Sequence, residues 1–315
     1  MIQIYKTKKG PEPAITEIME SICEGSWIWL LDPSEAELAI VADQCKIPPE
    51  FLQAALDEEE RPRIDSEDDV VLIVMDIPVT TENQGIKTLT THPLGIIITK
   101  DHIVTICSRR ADILDDVVAG KIRQFTTVKK TRFLFQIFYR NATYYLIHLR
   151  RIERKMNLIE VELRRSMKNE ELFEMMELEK SLIYFSTSLK SNEAVLERML
   201  RTKILKMYEE DAELLEDVII ENKQAMEMSQ IYLHILNGMT QAFASIISNN
   251  LNIVMKFLAS VTIILAIPTM IASFYGMNVS DIPLSQGPFS FGIIFGISVL
   301  FSVGMGLMLW KKKMF

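Results

Sequence analysis

The chain is poor in the residues from which most active sites and metal centres are built. Its 315 residues include only three cysteines and four histidines. The cysteines lack metal-ligand spacing, and no two histidines stand at a helical or hairpin interval that suits a shared metal ion. No phosphate-binding glycine motif occurs, and no Ser-His-Asp or Cys-His order indicates a nucleophile. These absences argue against an enzyme and favour free thiols in a reducing compartment.

Positive charge is also scarce. The chain has 34 lysines and arginines against 42 aspartates and glutamates, a formal net charge of -8. Such an acidic balance argues against nucleic acid as a partner. The N-terminal residues MIQIYKTKKGPEP contain no apolar run, so they do not predict a signal peptide.

Long apolar runs are present only near the C-terminal end. Residues 253–275 contain one charge, Lys256, and residues 289–310 contain none. Each run is long enough to cross a hydrocarbon core of about 30 Å as a helix. The sequence therefore predicts two transmembrane helices, joined by a short loop at residues 276–288, with membrane lipid around them.

The charges that flank these spans predict their orientation. The loop at 276–288 has no Lys or Arg, whereas a basic tail at 311–315 follows the second span with Lys311, Lys312 and Lys313. Because basic residues favour the cytoplasmic side, both termini are expected in the cytoplasm and the loop outside. The protein is thus predicted in the cell membrane, meaning the inner or plasma membrane.

One face of the first span is small or polar rather than bulky. Residues seven apart share a face of a helix, and two such series run side by side here. A helix surrounded only by lipid gains nothing from such a face, so either another helix packs closely on it or water lies against it. The predicted pore-lining set is Asn252, Met255, Leu258, Ala259, Thr262, Ala266, Thr269 and Ser273.

The rest of the chain reads as a soluble part that precedes the membrane. Residues 1–126 predict an α/β domain, with strands at 27–31, 70–75, 94–98 and 102–106 and helices at 34–44 and 49–56. A helical region and stalk follow at 127–252, where periodic apolar residues predict helices at about 127–168, 171–203 and 206–276. The expected fold is an α/β domain, a long helical coiled-coil stalk and two C-terminal membrane helices, in an oligomer.

The end of the first span carries a motif, Tyr275-Gly276-Met277-Asn278. Because helices commonly end at a glycine in the left-handed conformation, Gly276 is expected to end this helix in that way. In this place, before a short loop and a last helix, the motif resembles the signature of the CorA-type magnesium transporters. The lead-in Asn252-x-x-Met255-Lys256 and a proline inside the membrane, Pro268, also fit that family.

The resemblance implies a homopentamer whose first membrane helices line the pore. It implies that Gly276, Met277 and Asn278 form the ion-selecting mouth, where neutral amide and carbonyl oxygens suit a hydrated magnesium ion. It also implies regulatory magnesium between subunits, at positions that match Asp217 and Asp68 or Asp69. No cofactor is expected; Mg²⁺ is the substrate and a regulatory ligand, with Co²⁺ as another substrate.

Two alternatives remain open at this point. The cargo could instead be Co²⁺, Ni²⁺ or Zn²⁺, although Met277 speaks against the zinc-transporting branch of the same superfamily. From a different class, the chain could be a two-pass membrane sensor or scaffold that transports nothing. The small-polar face and the Gly-Met-Asn ending favour transport of divalent cations.

Overall fold

A computed structural model gives the fold. It describes residues 1–7, 16–83, 86–122, 125–165, 169–202, 204–278, 282–284, 287 and 289–312. These residues form two compact units, 1–238 and 239–315. The change of composition at residue 126 is therefore a change from sheet to helices inside the first unit.

The first unit begins with an α/β arrangement and continues with helices. Its strands are β1 (Ile2–Thr7), β2 (Thr16–Ile18), β3 (Trp27–Leu31), β4 (Arg63–Glu67), β5 (Val70–Asn83), β6 (Ile86–Ile98) and β7 (Ile103–Cys107). Its helices are α1 (Glu35–Cys45), α2 (Pro49–Ala54), α3 (Asp112–Val118), α4 (Lys130–Arg165), α5 (Asn169–Arg201) and the first part of α6 (Glu209–Tyr275). The second unit holds the rest of α6 and α7 (Ser290–Lys311).

The strands form one seven-stranded sheet in the order β2-β1-β3-β7-β6-β5-β4. Among the described strands only β3 and β7 pair in parallel, and the other neighbours are antiparallel. Both faces of the sheet are covered. One face packs against α1 and α2 around Val41, Leu52 and Leu72, while the other packs against α3 to α6 around Phe133 and Leu196. The predicted fold class is confirmed: an α/β domain followed by long helices.

The four predicted strands are present, but the sequence underestimated the sheet. β1, β2 and β4 were not predicted; β4 buries only Ile64 fully, so its pattern lacks the apolar run of an inner strand. The runs at 70–75 and 94–98 belong to a longer hairpin, in which β5 continues past Pro78 and β6 includes Pro93. Proline ordinarily interrupts a strand because it has no N–H to donate.

The helices hydrogen-bond the part of β5 that lies beyond the end of β4. β4 ends where Arg63 pairs with Val74, and beyond that point the Asp76 carbonyl accepts from three side chains. The donors are Asn141 Nδ2 at 2.9 Å, Asn192 Nδ2 at 2.8 Å and Tyr145 Oη at 3.2 Å. The Asp76 N–H in turn donates to Asn192 Oδ1 at 2.9 Å. The hairpin is therefore held by α4 and α5, which are distant in sequence.

A buried carboxylate joins α3 to α4. Asp116 is 2% exposed and accepts from Lys121 Nζ at 2.7 Å, Tyr144 Oη at 2.7 Å, and Arg140 Nε and Nη2 at 2.9 and 2.6 Å. Burial raises the pKa of Asp116, but the hydrogen bonds from Lys121, Tyr144 and Arg140 outweigh it and lower that pKa to about 2. Because the folded pKa lies below the ordinary 3.8, the charged form stabilises the fold above about pH 4.

We expect Asp116→Asn to lower the free energy of unfolding by about 2 kcal/mol at pH 7, since it removes the anion that three donors share. The difference from wild type should shrink as the pH falls from about 4 through 2, because wild-type Asp116 then becomes neutral as well. Denaturant unfolding of the detergent-solubilised protein at several pH values measures both effects. Asp115→Asn, on the same helix but bonded to the exposed Arg110, is the control. Equal stability of Asp116→Asn and wild type would contradict this account.

Candidate ion pathway

In the second unit, α6 and α7 are both long and apolar enough to cross a membrane. Each contains a predominantly apolar stretch of 18 residues with no more than two charged side chains. The predicted spans thus coincide with the C-terminal part of α6 and with α7. Proline occurs inside α6 only at Pro268, within its apolar part.

The Gly-Met-Asn motif lies just beyond the end of α6. The Gly276 N–H donates to the carbonyls of Ala272 at 2.9 Å and Ser273 at 3.2 Å, and the Met277 N–H reaches Phe274 O at 3.4 Å. Gly276, Met277 and Asn278 are all exposed. The motif is therefore presented at the helix end with its side chains and carbonyls open to the surroundings.

The expected left-handed conformation of Gly276 is wrong. Only Gly25 and Gly120 have positive φ among the glycines that the structure describes. Gly276 instead continues the last turn with a bifurcated hydrogen bond, and a Cβ there would lie 3.3 Å from the Ala272 carbonyl oxygen. A close approach to the backbone, rather than the sign of φ, explains why glycine suits this position.

A tyrosine fixes the loop that follows the motif. Tyr275 Oη donates to the Pro283 carbonyl at 3.0 Å, which joins the last residue of α6 to the loop beyond Asn278. In the sequence, Tyr275 stands out only as the first residue of the motif. Its hydrogen bond to a residue eight positions later could not be predicted from that pattern.

The predicted pore-lining residues lie together on one exposed face of α6. All eight, Asn252, Met255, Leu258, Ala259, Thr262, Ala266, Thr269 and Ser273, are exposed in the single chain. A shallow groove follows the middle of this face; it is lined by Thr262, Leu265, Ala266, Thr269, Met270, Ser273 and Phe274. The set is therefore one continuous surface. We call these eight residues the small-polar face.

The opposite face of α6 contacts α7. Ser260 is fully buried, and Ile264, Ile267 and Ile271 are partly buried. At 100° per residue these four positions point roughly opposite to the small-polar face. Gly306 of α7 approaches this side, since a Cβ there would lie 3.6 Å from Ile264 Cδ1. The helix that packs on α6 within one chain thus leaves the small-polar face uncovered.

The threonine hydroxyls of the small-polar face are oriented by their own helix. Thr262 Oγ1 donates to Leu258 O at 2.8 Å, and Thr269 Oγ1 donates to Leu265 O at 2.9 Å. A hydroxyl that donates in this way keeps its lone pairs as acceptors. Two oxygen acceptors, two helical turns apart, are therefore available on this face to water or a hydrated cation.

The glycines of α7 are only partly used within the chain. Gly306 and Ser298 lie toward α6, and Ser298 is 7% exposed. A Cβ at Gly292, Gly296 or Gly304 would meet nothing within 4 Å among the described residues. The spacing Gly292-x-x-x-Gly296 is typical of close helix packing, but no described residue of the same chain packs on this pair.

The three predicted regulatory carboxylates belong to the first unit and are exposed. Asp68 and Asp69 form the two-residue turn between β4 and β5, with φ of 44° and 66°. Such a turn needs positive φ at both positions, which Asp tolerates better than most residues. Asp217 lies on α6. Within the described residues no three His, Cys, Asp or Glu side chains form a group that could hold a metal ion.

Comparison with known proteins gives a consistent answer. A family model described as CorA-like Mg2+ transporter protein matches residues 24–313. The chain is 29% identical to the cobalt/magnesium transport protein CorA of Methanocaldococcus jannaschii over 309 residues, which cover 95% of this chain and 94% of the relative. It is 22% identical to the protein of the same name from Thermotoga maritima, covering 85% and 76% of the two chains.

Solved structures show the same similarity. The complete CorA magnesium transporter from Methanocaldococcus jannaschii matches with a TM-score of 0.83 at 26% identity, covering 99% of this chain and 96% of that one. The full-length CmaX protein shares the fold, with a TM-score of 0.72 at 16% identity over 98% and 97% of the two chains. From the extent of the family match, this chain is a member of the CorA-like Mg²⁺ transporter family.

Proposed function

We propose that the protein carries Mg²⁺ into the cytoplasm through a pore lined by the small-polar face of α6. The observation that carries this proposal is the position of that face: it lies opposite the side that contacts α7, and it ends at Gly276, Met277 and Asn278. A helix with lipid on all free sides would present bulky apolar residues there. The proposal places water and ions against this face instead.

One chain with two spans cannot enclose a pore, so the proposal requires several copies around an axis. A homopentamer is the assembly that the family resemblance implies. In it, each α6 turns its small-polar face to the axis and each α7 lies outside, next to lipid. Gly292, Gly296 and Gly304 of α7 then face lipid or a neighbouring subunit. The membrane is the cell membrane, with both termini in the cytoplasm.

A ring of Asn278 amides is the proposed first contact of the ion. Mg²⁺ gives up its water reluctantly and prefers hard oxygen ligands, so neutral amide and carbonyl oxygens can hold it through its water shell. A ring of carboxylates would bind more tightly and slow release. The hydroxyls of Thr262 and Thr269 continue this series inward, and Met255 and Leu258, each 56% exposed in the single chain, are placed to form an apolar constriction.

The membrane potential is sufficient to drive this uptake. Moving two positive charges inward is worth about 4.6 kcal/mol per 100 mV. No nucleotide-binding motif is needed for such transport, and we propose no enzymatic step.

Regulation by internal Mg²⁺ is proposed at the exposed carboxylates. Asp217 and Asp68 or Asp69 supply the oxygen ligands that Mg²⁺ prefers, so their chemistry fits the ion. Within the described residues of one chain these carboxylates belong to no group of three that could hold a metal ion, so a complete site would need a neighbouring subunit. Facing carboxylates repel unless a divalent cation bridges them, and the bound ion would therefore favour the closed assembly.

The names of the relatives support a second cargo. The proteins from Methanocaldococcus jannaschii and Thermotoga maritima are both described as cobalt/magnesium transport proteins. We therefore propose Co²⁺ as an alternative substrate of the same pathway. In a scaffold that transports nothing, α6 would only anchor the protein in lipid and would not require the small-polar face.

Thiol labelling tests whether the small-polar face contacts water. Cysteines placed at Thr262 or Thr269 should react with small hydrophilic reagents in the assembled protein, because the proposed pore is wet. A cysteine at Ser260 should not react, since that side chain is fully buried on the α7 side. Ser260 and Thr262 are close in size to cysteine, which makes them a matched pair. Equal labelling at all three positions, or none at any, would contradict a water-filled pore.

A further inference from the structure

The part of α6 in the first unit has a buried seam with an unusual centre. Its buried positions repeat at alternating steps of four and three residues, the spacing of a coiled-coil seam. They are Asp211, Leu215, Val218, Asn222, Ala225, Ser229 and, one heptad later, Leu236. Three successive positions in the middle are polar or small where a coiled coil ordinarily places large apolar residues.

The two polar residues donate hydrogen bonds to the backbone of α5. Asn222 Nδ2 reaches the Leu189 carbonyl at 3.0 Å, and Ser229 Oγ reaches the Leu182 carbonyl at 3.0 Å. Asn222 is 3% exposed and Ser229 is fully buried. The donors are one heptad apart on α6, and the acceptors are one heptad apart on α5 in the reverse direction. Both bonds therefore belong to a single alignment of two antiparallel helices.

The two acceptor carbonyls are accessible on this face of α5. In a helix, the side chain four residues later covers the carbonyl, because side chains lean toward the N-terminus. Four residues after Leu182 and Leu189 stand Ser186, which is small, and Glu193, which is half-buried at the edge. The carbonyls of residues 178, 185 and 192, by contrast, are followed by the buried Leu182, Leu189 and Leu196. Sliding α6 by about one turn would break both hydrogen bonds together.

α5 is itself bonded to the sheet. Asn192 exchanges hydrogen bonds with the backbone of Asp76 at 2.8 and 2.9 Å, and Ser188 Oγ donates to Thr91 Oγ1 at 2.9 Å. Asn192 is fully buried and Ser188 is 4% exposed. A continuous set of buried hydrogen bonds thus leads from β5 and β6 through α5 to α6.

We infer that α5 is a register clamp that fixes the axial position of α6 relative to the sheet. Asn222 and Ser229 are the positioning residues of this clamp, and the uncovered carbonyls of Leu182 and Leu189 are its fixed points. A slip of one turn, about 5.4 Å, would break both of these buried hydrogen bonds. A role for the clamp in regulating transport rests on the proposed function. Because α6 continues to Tyr275 as one helix, its register would determine the axial position of the pore-lining segment.

Disulfide trapping tests the clamp independently of transport. In the alignment set by the two hydrogen bonds, Glu193 lies opposite Val218, so Glu193→Cys with Val218→Cys is the level pair. Leu214 and Glu221 lie about one turn to either side of Val218. Glu193→Cys with a cysteine at either of these positions is a displaced pair. In the full-length protein, the level pair should cross-link at least about tenfold faster than either displaced pair. Peptide mass spectrometry identifies each link and separates it from any formed by the native cysteines.

The double variant Asn222→Ala/Ser229→Ala should then raise the cross-linking rate of the displaced pairs by about tenfold, because it removes both donors and leaves none unpaired. Gln224→Ala/Gln230→Ala, which changes two exposed amides of the same helix, should leave all rates unchanged. Circular dichroism checks that the helices persist. Unchanged preference for the level pair in the double variant would overturn the clamp.

A second measurement links the clamp to regulation. In proteoliposomes, inhibition of uptake by Mg²⁺ on the cytoplasmic side should weaken in Asn222→Ala/Ser229→Ala and not in the glutamine control. If wild type shows no uptake at all, the proposed function fails, while the cross-linking result still decides whether the clamp exists. Normal inhibition in a variant whose register has slipped would separate the clamp from regulation and contradict the inference.

Discussion

Asn278→Ala is expected to reduce Mg²⁺ uptake to the background of empty liposomes. The substitution removes an amide oxygen from every copy of the proposed ring at the mouth of the pore, so the hydrated ion loses its first protein ligands together. Asn278 is exposed beyond the end of α6, and no packing is disturbed by its loss. Uptake of Mg²⁺ by reconstituted protein, followed with an indicator inside the vesicles, measures this effect.

Two comparisons make this result specific. Asn278→Gln keeps an amide on a longer side chain and should retain a measurable part of the uptake. Size-exclusion chromatography of both variants should match wild type, which separates a loss of transport from a loss of assembly. Normal uptake by Asn278→Ala in a correctly assembled protein would show that this residue is not a ligand of the ion.

Asp217→Lys is expected to abolish the dependence of protease resistance on Mg²⁺. In wild type, millimolar Mg²⁺ should protect the soluble part from digestion, because the bridging ion holds neighbouring subunits together. In the variant a fixed positive charge takes the place of the ion, so protection should be the same in Mg²⁺ and in chelator. Inhibition of uptake by internal Mg²⁺ should weaken in parallel. A digestion time course of both proteins, with and without the ion, gives the comparison.

Glu216→Lys is the matched control for this variant. Glu216 directly precedes Asp217 on α6 and is also exposed. Its substitution by lysine therefore makes the same change of charge at an adjacent position. It should keep the Mg²⁺-dependent protection of wild type. If Asp217→Lys also keeps that protection, Asp217 is an ordinary solvated carboxylate and the regulatory site must be sought elsewhere.

The membrane part was predictable because a bilayer restricts composition strongly. Two apolar runs, a loop without positive charge and the Gly-Met-Asn ending were sufficient to identify the helices and the family. The small-polar face was also visible in the sequence, since it depends only on helical periodicity. Its position opposite α7 was not, because that relation depends on which residues of α7 meet Ser260 and Ile264.

The soluble part was harder to predict because tertiary contacts override local signals there. Pro78 and Pro93 suggest strand ends, yet β5 and β6 continue through them. Asn141, Tyr145 and Asn192, from helices far along the chain, bond the nearby Asp76 carbonyl. A glycine at the end of a helix is typical of a left-handed conformation, but Gly276 adopts another one. The bonds of Asn222 and Ser229 to α5 likewise depend on an alignment of two helices that no single-helix pattern reveals.

Potential-driven uptake by the purified protein tests the central proposal most directly. Proteoliposomes carrying an inside-negative potential should accumulate Mg²⁺, and dissipating the potential should slow accumulation, because the ion carries two charges inward. Competition with Co²⁺, Ni²⁺ and Zn²⁺ in the same vesicles identifies the preferred cargo. We predict uptake that depends on the potential and is competed by Co²⁺. Vesicles that hold correctly assembled protein yet pass none of these ions would contradict transport and leave a membrane scaffold as the function.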